Sequence, residues 1–235
     1  MSLSDPVLVI GHRGAAGLVP ENTLPSFRRA CDCGVGAVEL DVYAVEGELI
    51  VIHDDTLERT TDGTGPLAGR SLADLRRLDA GGGWPIPLLA EVVGVLPEGV
   101  GLNIELKGPD TAAPVAAFLA DRAPPDVLVS SFEHDELVRF RALAPEARVA
   151  PLFHRWQEDA WVIAASLGAW AINLSRKIAT PDRLARAREL GLRSFVYTVN
   201  DLEEARQLIR NGATGVFTDY PDRITPALLH EDTSG

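Results

Sequence analysis

Apolar runs and amphipathic helix patterns alternate along the whole chain, and this alternation restricts the possible folds more than any single residue does. The runs are 7–11 (VLVIG), 37–42 (AVELDV), 102–106 (LNIEL), 127–132 (VLVSSF), 148–153 (RVAPLF), 171–175 (AINLS), 194–199 (SFVYTV) and 215–219 (GVFTD). Helix patterns lie between most of them, at 23–34, 111–122, 134–144, 156–168, 180–191 and 201–212. Thr180-Pro181 is a helix-opening pair, and Gly191 and Gly212 are helix-closing residues. Strands alternating with helices imply a parallel sheet, and eight of them imply a closed (β/α)8 TIM barrel in the α/β class.

A ninth apolar run, LIVIHD at 49–54, breaks the count. It follows the second strand after only Glu46-Gly47-Glu48, whereas a parallel crossover needs about a dozen residues or more. It is therefore expected to return antiparallel, as a hairpin extension above the barrel rim. Folding back about Gly47 brings His53 roughly level with Asp41. Residues 55–86 are turn-rich with one short helix pattern, SLADLRRL, and read as a short insertion over the barrel mouth. The expectation is a single barrel domain over 1–235.

Charge narrows the partners. A formal net charge of −12 and the lack of a Lys/Arg run argue against nucleic acid and against stable association with an anionic membrane. The N-terminal stretch has no basic start, and its apolar run is too short for a signal peptide. Nor does any stretch approach the ~20 apolar residues of a membrane span. A cytoplasmic protein is expected. Cys31 and Cys33, two apart on a helix pattern, do not face each other, so neither a disulfide nor a metal clip is expected.

Catalytic residues of such barrels come from the C-terminal ends of the strands. Here those ends carry His12 and Arg13, Glu39 and Asp41, and Glu105 and Lys107, with His53 supplied by the hairpin. Glu39 and Asp41 share one strand face, as do Glu105 and Lys107. Three carboxylates around one centre repel unless something positive sits between them. Two readings stay open from spacing: a hard divalent cation, Mg²⁺ or Ca²⁺, on oxygen ligands, or a structural ion network with Arg13 and Lys107. A lone histidine is most simply a buried, hydrogen-bonded residue, but two at one rim beside three acids point to general acid–base catalysis. Cations, a base and an acid are the parts that phosphodiester cleavage needs. His134 and His230 read as surface or capping residues, and His154, at a strand end, is held in reserve.

At these residues the chain resembles the glycerophosphodiester phosphodiesterases of bacterial cytosolic type. The similarity runs in order through HRG (12–14), PENT (20–23), VELDV (38–42), IHDDTLERTTDGTG (52–65), IPLLAEVV (86–93), NIELKG (103–108), SF (131–132), VYTVND and VFTDYPD (216–222). The resemblance implies a divalent cation held by Glu39, Asp41 and Glu105, an acid–base pair His12 and His53, and phosphate contacts from Arg13 and Lys107. It implies hydrolysis of a small-molecule glycerophosphodiester to sn-glycerol 3-phosphate and an alcohol. One departure is Tyr197, where the family often carries Trp; an aromatic face is kept and a hydroxyl added. Two rivals remain: lysophospholipase D-type action on lysophospholipids, and a non-catalytic barrel binding a phosphorylated ligand.

Overall fold

The computed structural model describes residues 3, 7–122 and 126–230. In chain order the elements are β1 (Leu8–Gly11), α1 (Leu24–Asp32), β2 (Ala37–Val45), β3 (Glu48–Val51), α2 (Leu72–Leu75), α3 (Leu89–Val95), β4 (Gly101–Leu106), α4 (Ala112–Arg122) and β5 (Val127–Ser131). They continue with α5 (His134–Leu143), β6 (Arg148–Phe153), α6 (Ala160–Ser166), β7 (Ala171–Ser175), α7 (Pro181–Glu189), β8 (Arg193–Tyr197), α8 (Leu202–Arg210), β9 (Gly215–Thr218) and α9 (Pro226–His230). Strand order β1-β9-β8-β7-β6-β5-β4-β2, closed by β1 on β2, makes an eight-stranded barrel whose pairings are all parallel. This is the (β/α)8 architecture that the alternation predicts.

Among the described residues β3 is the one strand outside the barrel, and it runs antiparallel to the upper half of β2. Val45 pairs with Glu48, so the turn has two residues, Glu46 at φ 52° and Gly47 at φ 85°. Two positive φ values define the turn type that matches strand twist, and glycine takes the second without steric cost. Beyond β3, the Ile52 N–H donates to the Asp41 carbonyl at 3.1 Å. His53 is therefore one position past Asp41, close to the level expected.

Strand parity divides the core. Outward side chains such as Val9, Val38, Leu40, Ile104, Val129 and Val216 join the helices in the main cluster. Inward residues Leu8, Ile10, Ala37, Leu128, Ala150, Ala171, Phe195 and Phe217, with Leu3, form a separate cluster inside the barrel. A third cluster, Ile50, Ile52, Leu57, Leu67, Leu75, Ala80 and Ile86, supports the hairpin and the insertion.

Three helices differ from expectation, one of them α9, five residues long where no helix pattern is expected. α3 closes the crossover into β4, where no helix pattern is visible in the sequence; LAEVVGV is apolar at all but Glu91 and Gly94, so it shows no polar face. The pattern at 156–168 is helical only from Ala160 to Ser166. Trp156 instead packs edge-on against Trp161, with centroids 5.1 Å apart, and takes the Arg183 guanidinium 4.1 Å above its ring. Thr180 caps α7 as expected, accepting from Arg183 N, and Gly191 and Gly212 follow the last residues of α7 and α8 with positive φ. Cys31 and Cys33 are free thiols. Among the described residues no helix is long and apolar enough to cross a membrane.

Candidate active site

The sheet register brings the acids together. Asp41 of β2 lies opposite Glu105 of β4, and Glu39 lies opposite Asn103. All point into the barrel above the apolar plug, and ligand oxygens of Glu39, Asp41 and Glu105 lie within 4.8 Å of one another. The three residues are 2%, 1% and 8% exposed, too dry for bulk water to separate their charges. Burial, then the charges of Asp41 and Glu105, hold the Glu39 carboxyl well above its usual range. Burial and Asp41 likewise push Glu105 up to about 7, against the pull of Lys107.

Cations surround the cluster without satisfying it. Lys107 Nζ donates to Glu105 Oε1 at 2.9 Å and lies 3.7 Å from Asp41 Oδ1. Arg13 gives its backbone N–H to Glu39 Oε2 at 2.9 Å, and its Nε lies 3.5 Å from Asp41 Oδ2. Asn22 Nδ2 donates to Asp41 Oδ2 at 2.9 Å. Even so, Glu39 Oε1 and Asp41 Oδ1 are buried and accept no hydrogen bond among the described residues. A buried acceptor left unmade costs about 1–3 kcal/mol, more when charged. Two orphaned oxygens within an all-carboxylate set fit a hard divalent cation, which bonds oxygens at roughly 2.0–2.6 Å.

The turn after β1 is shaped for this contact. Arg13 takes φ 51°, a left-handed conformation that is strained for a residue with a side chain. Gly14 follows at φ 83°, and a Cβ there would meet Ser26 and Phe27 backbone atoms at 2.6–2.8 Å. The close approach lets Ser26 Oγ donate to the Arg13 carbonyl at 2.9 Å, which locks the turn onto α1.

Each of the two histidines is held by a carboxylate. His12 Nδ1 meets Asp219 Oδ1 at 2.7 Å, and its Nε2 is 3.9 Å from Glu39 Oε2. Asn200 Nδ2 donates to the other Asp219 oxygen at 2.7 Å. Burial alone would raise the Asp219 carboxyl, but the bonds from His12 and Asn200 outweigh it and hold it low. His53 Nδ1 meets Asp54 Oδ1 at 2.5 Å. Burial, with Arg13 and Lys107 nearby, lowers the His53 pKa despite the charge of Asp41, which favours the neutral ring. A carboxylate at Nδ1 keeps the proton on that nitrogen and leaves Nε2 as the free base or donor.

The seven residues expected from sequence are thus gathered at one rim. His12, Arg13, Glu39, His53 and Glu105 line a cavity of about 370 Å³, whose other wall includes Phe132, Tyr197, Phe217 and Lys177. Asp41 and Lys107 do not line it but touch residues that do: Asp41 lies in the acid cluster with Glu39 and Glu105, and Lys107 bonds Glu105. His154 lines the same cavity from β6. His134 differs from the surface or capping role expected: it begins α5 with its ring against Phe153, centroids 4.9 Å apart, and Nε2 3.1 Å from the Leu152 carbonyl. The side chain of His230 lies outside the described residues.

Spacing along the chain gives no role to Asp219, Asp54, Glu21, Asn22 or Asn200. Asp219 was within reach, since it lies one inward step beyond Phe217 at the end of the last strand, and Asp54 adjoins His53. Glu21 accepts from Arg13 Nη1 at 2.8 Å, a contact made only by the folded βα loop.

Comparison with known proteins converges on one family. The model of the Glycerophosphoryl diester phosphodiesterase family matches residues 12–223. A glycerophosphodiester phosphodiesterase of Caldanaerobacter subterraneus subsp. tengcongensis is 32% identical over 232 residues, covering 92% of this chain and 96% of that one. A glycerophosphodiester phosphodiesterase of Bacillus subtilis is 31% identical over 249 residues, with 93% and 85% covered. The structure of an Oleispira antarctica phosphodiesterase in complex with the product sn-glycerol-3-phosphate matches at a TM-score of 0.88 and 33% identity, covering 92% and 94% of the two chains. By fold, by sequence and by the company its structure keeps, the chain belongs to the glycerophosphoryl diester phosphodiesterase family and is an enzyme, a phosphoric diester hydrolase.

Proposed function

We propose that the chain hydrolyses glycerophosphodiesters to sn-glycerol 3-phosphate and an alcohol, using one divalent cation, Mg²⁺ or Ca²⁺, and two histidines as acid and base. The observation that carries this reading is the pair of carboxylate-held imidazoles, His12 and His53, on the wall of a cavity floored by orphaned carboxylate oxygens. Glu39, Asp41 and Glu105 would hold the cation, which when bound supplies positive charge to the phosphate and to the glycerol hydroxyls. Arg13 and Lys107 share the remaining phosphate charge, each such charged hydrogen bond being worth roughly 1.5–3 kcal/mol. His12 removes a proton through Nε2 from the attacking group, which is either water or the substrate's own 2-hydroxyl; in the second case water then opens the resulting cyclic phosphate to give sn-glycerol 3-phosphate. His53 acts as the acid in its imidazolium form, giving the Nε2 proton to the departing alkoxide, and its lowered pKa makes that proton easier to give. Asp219 and Asp54 orient the rings and stabilise the imidazolium formed on either side of the step.

A soluble diester suits the cavity better than a lysolipid. Of the large hydrophobic residues exposed among the described residues, only Phe132 lines the cavity, which leaves an acyl chain few apolar partners outside it. The test is release of glycerol 3-phosphate from glycerophosphocholine after chelation, and again with Mg²⁺ or Ca²⁺ restored. Release should stop on chelation and resume with the cation. Undiminished release in chelator would sink the metal assignment. Cleavage of micellar lysolipid faster than soluble diester would replace the substrate.

A further inference from the structure

The insertion returns to the active site through one side chain. Arg59 sits in a turn that starts at Leu57, which is fully buried in the cluster beneath the hairpin. Thr61 closes that turn, its N–H and hydroxyl donating to the Leu57 carbonyl at 3.0 and 2.7 Å. The guanidinium is thereby fixed between two carboxylates. Nε and Nη2 donate to Asp54 at 2.5 and 3.0 Å. Nη1 and Nη2 donate to Glu21 at 2.8 Å each.

The partners of those carboxylates give the arrangement its meaning. Asp54 Oδ1 is also the atom that meets His53 Nδ1. Glu21 Oε1 is also the atom that accepts from Arg13 Nη1. The chain His53–Asp54–Arg59–Glu21–Arg13 therefore runs unbroken from an imidazole on one side of the cavity to a guanidinium on the other. We infer that Arg59 is a positioning residue for the hydrolysis, setting the imidazole of His53 and the guanidinium of Arg13 in one fixed relation. This inference rests on the acid–base reading given above. Without the guanidinium, two carboxylates face each other with nothing between them, and Asp54 is free to turn from His53.

A simple surface ion pair would leave the same contacts without this role, and magnitudes separate the two. The Arg59 side chain is 46% exposed, and exposed pairs contribute little to stability. Its loss should thus show in turnover rather than in melting. Lysine replaces it poorly, because an ammonium is a compact point charge and cannot supply the four donor contacts that the planar guanidinium makes to the two carboxylates.

The experiment is steady-state hydrolysis of glycerophosphocholine by wild type, Arg59→Met, Arg59→Lys, Asp54→Asn and Asp54→Asn/Arg59→Met, with melting temperatures measured alongside. Arg59→Met should lower kcat about 10–100-fold, the usual span for a lost outer partner of a site residue, with a melting shift of no more than about 3 °C. Arg59→Lys should recover little of it. In the Asp54→Asn background the same change should cost clearly less than in wild type, because the share that acts on His53 through Asp54 is already lost and only the share through Glu21 remains. Turnover of Arg59→Met within twofold of wild type overturns the inference, as does an undiminished loss in the double variant or a loss that tracks a large fall in melting temperature. A wild-type protein that cleaves no glycerophosphodiester with either cation instead removes the acid–base reading beneath it, and the inference with it.

Discussion

At the N-terminal end of the barrel the inward positions hold Leu8, Ile10, Ala37, Leu128, Ala150, Ala171 and Phe195, an apolar plug with Phe195 fully buried. One inward step further along the same strands, the positions hold His12, Glu39, Ser130, Leu152, Asn173 and Tyr197. Both layers obey the period of two, and both are largely dry. They differ in whether the buried groups are satisfied: the lower layer has no polar atom to satisfy, while in the upper Glu39 Oε1, Asp41 Oδ1, Asn103 Oδ1 and both amide atoms of Asn173 have no hydrogen-bond partner among the described residues. The lower layer holds the barrel closed, and the upper layer is built at the expense of stability to meet something from outside. A barrel can carry such a layer because the one beneath it is so complete.

That contrast can be broken first from below. Phe195→Ala should destabilise by about 3–5 kcal/mol, read from denaturant unfolding, while kcat of the folded fraction stays close to wild type; a selective loss of kcat would erase the division between layers. From above, Glu105→Ala should lower kcat/KM by about 10³-fold, the upper end for one electrostatic stabiliser, and should flatten the response to added Mg²⁺ or Ca²⁺. An unchanged metal titration would count against Glu105 as a ligand. His12→Ala and His53→Ala should each cost about 10²-fold or more in kcat, with melting little altered, and near-normal turnover in either would end its assignment.

Smaller effects sharpen the contrast. Glu39→Gln should abolish most activity and yet raise the stability of the metal-free protein by about 1 kcal/mol, because a buried like charge is removed; a lower melting temperature would show that the cluster is already compensated. Asp219 tests the opposite sign. Its carboxyl is held below the usual range, so the folded state favours the charged form. The resulting stability is present above the unfolded value of about 3.9 and is lost as pH falls through the folded value. Asp219→Asn should therefore melt lower than wild type at pH 7, by about 1 kcal/mol or less, with the gap closing in acid. A gap independent of pH would mean the charge of Asp219 does not matter to the fold.

Most of the barrel was legible because each strand announces itself by β-branched residues and each inward face by parity. α3 was not, since LAEVVGV has no polar face from which a helical period could be read; its identity as a helix is imposed by the crossover it must make. That the seven candidate residues share one rim was legible for a related reason: charge at the end of an apolar run is conspicuous, and parity assigns it a side. Asp219 obeys the same rule on the last strand and was legible in principle. Glu21 and Arg59 were not. Their contacts depend on where Leu57 anchors the insertion and on how the loop after β1 turns at Arg13, and neither follows from spacing along the chain.

The pairing of His12 with Asp219 joins residues 207 positions apart, across the β1–β9 seam that closes the barrel. His12 follows the first strand of the barrel and Asp219 the last. A nascent chain can already carry the acids, Lys107 and the complete His53 arm while the imidazole of His12 still has no carboxylate to hold it. On the acid–base role proposed for His12, the ring is held for its work only once the last barrel strand has docked beside the first, so one hydrogen bond reports that the barrel is shut.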